Sequence, residues 1–216
     1  MTKSRRKGRI RDAEATKAQL LEAVSEIMKE SGHTHLKVMK IARRIGKDKN
    51  LIRYYYNSLA NLQKLYIREK DYWHPFFERF RLDGDVKEEE VRTLFVELMQ
   101  ENFKFFWDNP EMQRIILWQI SEQNPLMRSI SEAREIEGAK LLAKTDPYFV
   151  FSGVNFRTVI ALLLGGIYYV VLHASMNKST VCGIDANWER DREDIIKTVE
   201  QIINWAWKAA KENKKP

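Results

Sequence analysis

Between Lys40 and Ser58 the chain reads KIARRIGKDKNLIRYYYNS, and its side chains are of the types that grip a polyanion. Lysine and arginine neutralise phosphates and release counterions; arginine also meets guanine in a bidentate pair, and Asn50 can meet adenine in the same fashion. Tyrosine hydroxyls donate to phosphate while their rings pack against a domain, which suits Tyr54 and Tyr55 to the boundary between core and backbone contact. The surrounding charge agrees. Residues 1–56 hold 15 Lys and Arg against 6 Asp and Glu, whereas residues 57–216 hold 22 against 24. The excess behind the formal net charge of +7 therefore lies in the first quarter of the chain, and a polyanion contact is expected there.

Such side chains act only if a scaffold sets their angle. Leu20, Leu21, Val24, Ile27 and Met28 repeat at the spacing of one helical face, which predicts a first helix ending near Gly32. A shorter second helix carries Val38, Ile41, Ala42 and Ile45, and Gly46 is placed to end it in a left-handed conformation. Asp48 is expected to cap a third helix running to Tyr56, with Ile52 and Tyr56 facing inward as an i,i+4 pair. Two short helices joined by a glycine turn are the local pattern of a helix-turn-helix. With Ile41, Ala42, Ile45 and Ile52 in the shared core, Lys40, Arg43, Arg44, Lys47, Lys49 and Arg53 are left outside, at the end that a recognition helix presents to the major groove. Ser58 is expected to cap a fourth helix carrying Leu62, Leu65 and Tyr66 towards Trp73, with Pro75 ending or kinking it. The opening MTKSRRKGRIR lacks apolar periodicity and reads as a mobile basic arm.

Beyond RLDGDVKEEE the elements lengthen. A stripe from Val91 through Phe103, Phe106 and Trp107 holds for five turns and stops at Asp108-Asn109-Pro110. Segments from Glu111 to Ser121 and from Leu126 to about Lys144 each follow a proline that suits a helix start. An apolar helix over 155–175 and a stripe of Ile195, Ile196, Val199, Ile202, Ile203 and Ala206 over 187–211 close the chain. Nothing alternates with period two, so the expected class is all-α, about nine helices, without a sheet. The apolar run from Val159 to Ala174 is shorter than the roughly 20 residues needed to cross a bilayer, so no membrane span is expected. The single cysteine, Cys182, and the lack of a signal-peptide pattern point to a reducing, cytoplasmic setting.

Residues 20–62, LLEAVSEIMKESGHTHLKVMKIARRIGKDKNLIRYYYNSLANL, resemble the DNA-binding domain of the TetR (tetracycline-repressor-like) regulators. The landmarks are Leu21, Glu22 and Ala23, Gly32, Ile41 with Ala42, Gly46, Lys49, Ile52, Tyr56, and Ser58 with Leu62. The resemblance implies a basic arm over 1–12, a three-helix helix-turn-helix domain over 13–57, a connecting helix and joint over 58–85, and a larger helical effector-binding and dimerisation domain over 86–216. It further implies a homodimer through helices 155–175 and 187–211, a roughly palindromic double-stranded DNA operator, and repression relieved by a small molecule. The residues expected at DNA are Lys37, Lys40, Lys47, Asp48, Lys49, Asn50, Leu51, Arg53, Tyr54 and Tyr55. Several depart from the family's habit: Lys47 replaces a small apolar residue, Asp48 a serine, Arg53 a tyrosine, Leu36 a threonine, and Leu59 a phosphate-contacting lysine. Arg53, Tyr54, Tyr55 and the basic arm are expected to substitute for the missing backbone contacts.

An apolar effector cavity is expected among Met99, Phe103, Phe106, Trp107, Met112, Trp118, Tyr168, Tyr169 and His173, with Asn102 and Gln119 as further polar contacts; the same stripes also read as plain core. His33 and His35 offer two ligands at most, so neither a metal nor a cofactor is expected. No phosphate-binding loop, dinucleotide glycine fingerprint, nucleophile elbow or Cys-His pairing is present, which argues against an enzyme. The rival reading is a helical interaction protein whose basic end binds RNA or an anionic membrane. Against it, residues 1–12 interleave only Met1 and Ile10 among their charges, and the tyrosines sit beside a turn rather than on an open platform.

Overall fold

Leu20, Ala23, Val24, Ile27 and Met28 are all buried, and they form the inner face of helix α1 (Thr2–Ser31). The computed structural model describes residues 2–81, 84 and 86–214, giving residues 2–11 by their backbone alone. Gly32, at φ +75°, ends the helix where the pattern predicts. At its other end α1 reaches back to Thr2, so the stretch expected as a mobile arm has helical backbone. Lysine and arginine are good helix formers, and residues added to an existing helix escape the cost of nucleation.

Helix α2 (Val38–Arg44) buries Ile41 and Ala42, and Gly46 at φ +63° makes the left-handed turn that an L side chain would resist. Helix α3 (Asn50–Tyr56) buries Ile52 and Tyr56, and the Asn50 N–H of its first turn donates to Asp48 Oδ1 at 2.7 Å. Ser58 caps α4 (Leu59–Lys70), its Oγ accepting from the Asn61 N–H at 3.1 Å. The expected run to Trp73 is interrupted. Helix α4 stops at Lys70, and a separate short helix α5 (Trp73–Arg79) holds Pro75 in its first turn, where a missing N–H breaks no helical bond.

Helix α6 (Glu88–Asp108) starts on three glutamates that complement its dipole. Helices α7 (Pro110–Ser121) and α8 (Pro125–Ala143) both open on their prolines, as expected. The short α9 (Asp146–Phe149) precedes α10 (Phe156–Leu172), which continues through a π-type turn, His173–Asn177, and α11 (Glu189–Asn213) ends the chain. The two short helices α5 and α9 are additions to the expected set. Among the described residues the only strand-like pairing is an isolated bridge between Val181 and Ile184, so the class is all-α.

The chain forms two compact units, Met1–Asp71 with Pro110–Arg128, and Tyr72–Asn109 with Ser129–Pro216. This division differs from the expected boundaries near 57 and 85, because α4 and α7 pack with the N-terminal helices. The reason is a buried carboxylate. Glu111, at the start of α7, accepts hydrogen bonds from Ser25 Oγ of α1 at 2.6 Å and Tyr66 OH of α4 at 2.7 Å, with Lys29 and Lys70 ammonium groups at 3.5 and 3.4 Å.

In the second unit, Phe95, Leu98, Met99, Phe103 and Phe106 of α6 are buried, and Phe95, Phe149 and Trp207 close on Phe156 of α10 at ring distances of 4.5–5.4 Å. Counted through the π-type turn, the apolar helix has 22 residues, and only 22% of its most apolar stretch is buried within the chain. By length and composition it is long enough to cross a membrane, so the expectation that the run is too short does not hold.

Candidate nucleic-acid interface

The glycine turn fixes two short helices so that one side of the pair is core and the other is water. On the inner side, Tyr56 OH donates to the Lys17 carbonyl at 3.1 Å. Burial pushes the Tyr56 phenol up to about 12, with Glu69 and Glu14 adding to the shift. On the outer side Lys37, Lys47, Asp48, Lys49, Asn50 and Arg53 are exposed, while Lys40, Leu51 and Tyr55 are half-buried. Tyr54 is 76% exposed and packs edge-on against Tyr55, ring centroids 4.8 Å apart. Of the ten residues expected at DNA, seven are thus exposed and three half-buried.

Not every cation there is equally available. The Arg44 guanidinium donates to Glu30 at 2.5 and 2.8 Å and to Glu26 at 3.2 Å, bridging α2 to α1. Its hydrogen bond to Glu30 raises the arginine's pKa further and holds the Glu30 carboxyl below its ordinary value. Lys47 Nζ donates to Thr16 Oγ1 of α1 at 2.8 Å, and Lys40 Nζ to Ser31 Oγ at 3.3 Å. Lys37, Arg43, Lys49 and Arg53 make no hydrogen bond or ion pair with another described side chain. The freest positive charge is therefore Lys37, Arg43, Lys49 and Arg53, with Asn50 between the last two.

No family model matches this sequence, and no curated protein does. Solved structures match over most of the chain. A TetR family transcription regulator from Marinobacter aquaeolei VT8 is 17% identical, with TM-score 0.60 over 93% of this chain and 97% of that one. NalD from Pseudomonas aeruginosa, the secondary repressor of the MexAB-OprM multidrug efflux pump, is 17% identical, with TM-score 0.61 over 88% and 96%. FadR from Bacillus subtilis in complex with stearoyl-CoA is 18% identical, with TM-score 0.57 over 86% and 96%. The fold is that of the TetR regulators. A TetR fold has an N-terminal helix-turn-helix domain and a helical ligand-binding domain, an order that the helices described above follow.

Of the residues expected in an effector cavity, seven lie in the second unit and two, Met112 and Trp118, in the first. Met99, Phe103 and Phe106 are buried on α6, and Phe106 meets Tyr168 of α10 at 4.6 Å. Trp107 is half-buried under the Arg192 guanidinium, 4.9 Å from its ring. Tyr169, 60% exposed, lies against His173 at 5.6 Å, and His173 Nδ1 is 3.2 Å from Asn177 Nδ2. Met112 and Trp118 belong to the other compact unit. There Trp118 stacks on His33 at 5.1 Å and donates Nε1–H to Glu122 at 2.7 Å. His33 loses proton affinity through that burial, offset in part by Glu122.

Two residues that the sequence reading left out of the set, Tyr72 and Trp73, meet Asn102 and Tyr168 in a buried polar cluster. The signal was the density of rings in DYWHPFF, which a helix end at Pro75 obscured.

Proposed function

We propose that the chain is a homodimeric, sequence-specific DNA-binding regulator, a repressor that leaves a roughly palindromic operator when a small apolar effector occupies its second unit. The observation carrying this reading is the division of labour across the Gly46 turn. Ile41, Ala42, Ile52 and Tyr56 are buried and hold α3 at a fixed angle, while Lys49, Asn50, Arg53 and Tyr54 stand exposed along its outer side. Lys37, Arg43, Lys49 and Arg53 neutralise phosphates; Asn50 and Tyr54 are placed to reach base edges and backbone. The first unit is the DNA-binding part and the second the effector-binding and dimerisation part, in a cytoplasmic protein without catalytic activity. A repressor role and an apolar effector accord with the NalD and stearoyl-CoA-bound FadR structures of the same fold.

The dimer joins through α10 and α11. Val159, Leu162, Leu163, Gly166 and Val170 of α10 and Ile195 and Ile202 of α11 line an apolar groove of about 520 Å³, and Leu162 is 71% exposed. A face of that kind needs cover, and a second copy supplies a self-complementary one. Two-fold symmetry then sets two recognition helices on half-sites spaced by about one helical turn, ~34 Å, or a multiple of it.

A gel-shift titration with the DNA upstream of the chain's own gene, run at several salt concentrations, tests the reading. Saturable binding that prefers this DNA to an unrelated duplex is expected. Arg53→Ala should weaken it and reduce the slope of log K against log salt by about 0.9, the share of one phosphate. Equal affinity for unrelated duplex, for RNA or for anionic vesicles overturns it.

A further inference from the structure

Phe151, in the loop between α9 and α10, stands where a bulky residue is least expected. Its side chain is 95% exposed, and its backbone is left-handed at φ +59°, a conformation that strains an L side chain and that glycine adopts freely. The turn is held from both sides. Ser152, 1% exposed, donates its Oγ–H to the Phe149 carbonyl at 2.7 Å and accepts the Val154 N–H at 3.1 Å, while its carbonyl accepts from Asn213 Nδ2 of α11 at 2.8 Å. A strained conformation persists only where its surroundings enforce it, and such positions cluster at functional sites. What is enforced here is the display of an aromatic ring to water, beside Val150, itself 48% exposed.

A pocket of about 370 Å³ adjoins the turn. Its floor is aromatic: Phe149 and Phe156, both buried, stack on each other at 4.5 Å and are backed by Trp207 at 4.7 and 4.6 Å. Val150 and Val154 add apolar wall. The exposed Asp146 and Arg157 complete the lining, with Arg157 donating to the two Asp146 oxygens at 3.1 and 2.7 Å. Phe151 is not among the lining residues, so its ring does not fill the pocket beside it.

Three observations indicate what does. A ring and an aromatic pocket on one loop are complementary to a copy of themselves turned through 180°, since each ring then enters the other copy's pocket. The charges agree, because a neutral Asp146–Arg157 pair meets its own rotated copy with opposite signs facing. The place agrees as well. The pocket ends at Arg157, and the apolar groove assigned above to the dimer begins at Val159, two residues further along α10.

We propose that Phe151 anchors a second, reciprocal contact between two copies of this chain, its ring seated in the other copy's aromatic pocket. This rests on the homodimeric reading above and extends that interface from α10 and α11 to the loop before α10. Sedimentation equilibrium of the full chain without DNA, over a range of concentrations, compares wild type with Phe151→Gly, Val154→Trp and Leu162→Glu. Glycine suits the left-handed backbone, so Phe151→Gly should keep the helical circular dichroism of wild type. Its dimer dissociation constant should nevertheless rise about a hundredfold, roughly tenfold for each of the two rings left in water. Val154→Trp blocks the pocket without touching Phe151 and should weaken the dimer in the same direction. An unchanged dissociation constant in either folded variant, with Leu162→Glu monomeric, overturns the proposal and leaves the α10–α11 dimer standing. Weakening by both loop variants with no effect of Leu162→Glu supports the proposal and overturns the α10–α11 face. A wild-type chain that stays monomeric at every concentration overturns both.

Discussion

Replacing Glu111 tests how the first unit is held together. Its carboxylate is the acceptor for two hydroxyls, Ser25 Oγ at 2.6 Å and Tyr66 OH at 2.7 Å, and so ties α7 to both α1 and α4. Glu111→Ala leaves both hydroxyls buried without an acceptor, and each loss costs about 1–3 kcal/mol. Lys29 and Lys70 approach the same carboxylate but are half open to water, so their loss adds little. The expected destabilisation is about 3 kcal/mol, near the lower end for breaking a buried charged pair. In a chain of this length that is a fall in Tm of roughly 6–12 °C. Glu111→Gln keeps one oxygen and should lose about half as much. Urea unfolding followed by circular dichroism gives the free energy, and hydrogen exchange should place the loss of protection in α1, α4 and α7. The same carboxylate sets an acid limit. Burial alone would raise its pKa, but the hydrogen bonds from Ser25 and Tyr66 and the two ammonium groups outweigh burial and hold it below its ordinary value. Its contribution is therefore complete above the unfolded value of about 4.3 and is lost as pH falls through the lower folded value. A change under about 1 kcal/mol in Glu111→Ala, or protection lost equally throughout the chain, would refute the argument.

Three further outcomes follow from the geometry. Arg44→Ala should leave the salt dependence of DNA binding unchanged, because Glu30 and Glu26 already hold its guanidinium, whereas Arg43→Ala should lower the slope by roughly 1; gel shifts at several salt concentrations decide between them. Leu162→Glu should convert the proposed dimer to a folded monomer in sedimentation velocity, since that side chain is 71% exposed on the apolar face of α10. Tyr56→Phe should cost about 1 kcal/mol through the lost bond to the Lys17 carbonyl. The raised Tyr56 phenol contributes stability that is complete below about pH 10 and lost as pH rises towards about 12, so denaturation at alkaline pH should lose that component in the variant.

The helix-turn-helix was legible because its information is local. Gly46 at positive φ, Ser58 as a cap, and the i,i+4 pair Ile52 and Tyr56 are each decided within a few residues, and all lie where periodicity and capping place them. The course of α4 was misjudged because Pro75 carries two meanings. It ends a helix when read from the N-terminal side and opens one when it falls in a first turn, and only the break after Lys70 chooses between them. Which residues converge on an effector is information of another kind. Helical spacing says which residues share a face, but Met99 and Trp118 satisfy the same pattern and belong to different compact units. What brings Tyr72, Asn102 and Tyr168 together is pairing between elements far apart in sequence, on which a single chain's periodicity carries no information.

The division of the positive charge also alters the picture of how this protein would meet DNA. Its basic first quarter suggests a strong, undiscriminating hold, yet part of that charge already has partners within the chain. Arg44 cements α2 to α1, Lys47 is tied to Thr16, and Asp48 places a negative charge where the recognition helix begins. Asp48 is needed locally, since its carboxylate takes the Asn50 N–H of the first turn, but in the proposed complex it would also repel phosphate. Sequence-independent affinity scales with the phosphates neutralised, so each internal pair weakens binding to every duplex alike. On the proposed reading, discrimination would then fall to the few exposed groups of α3, Asn50, Arg53 and Tyr54, whose contacts would depend on base identity and groove shape. A smaller electrostatic term under an unchanged set of readers raises the ratio of specific to non-specific binding, which is the quantity that matters against a genome of competing sites.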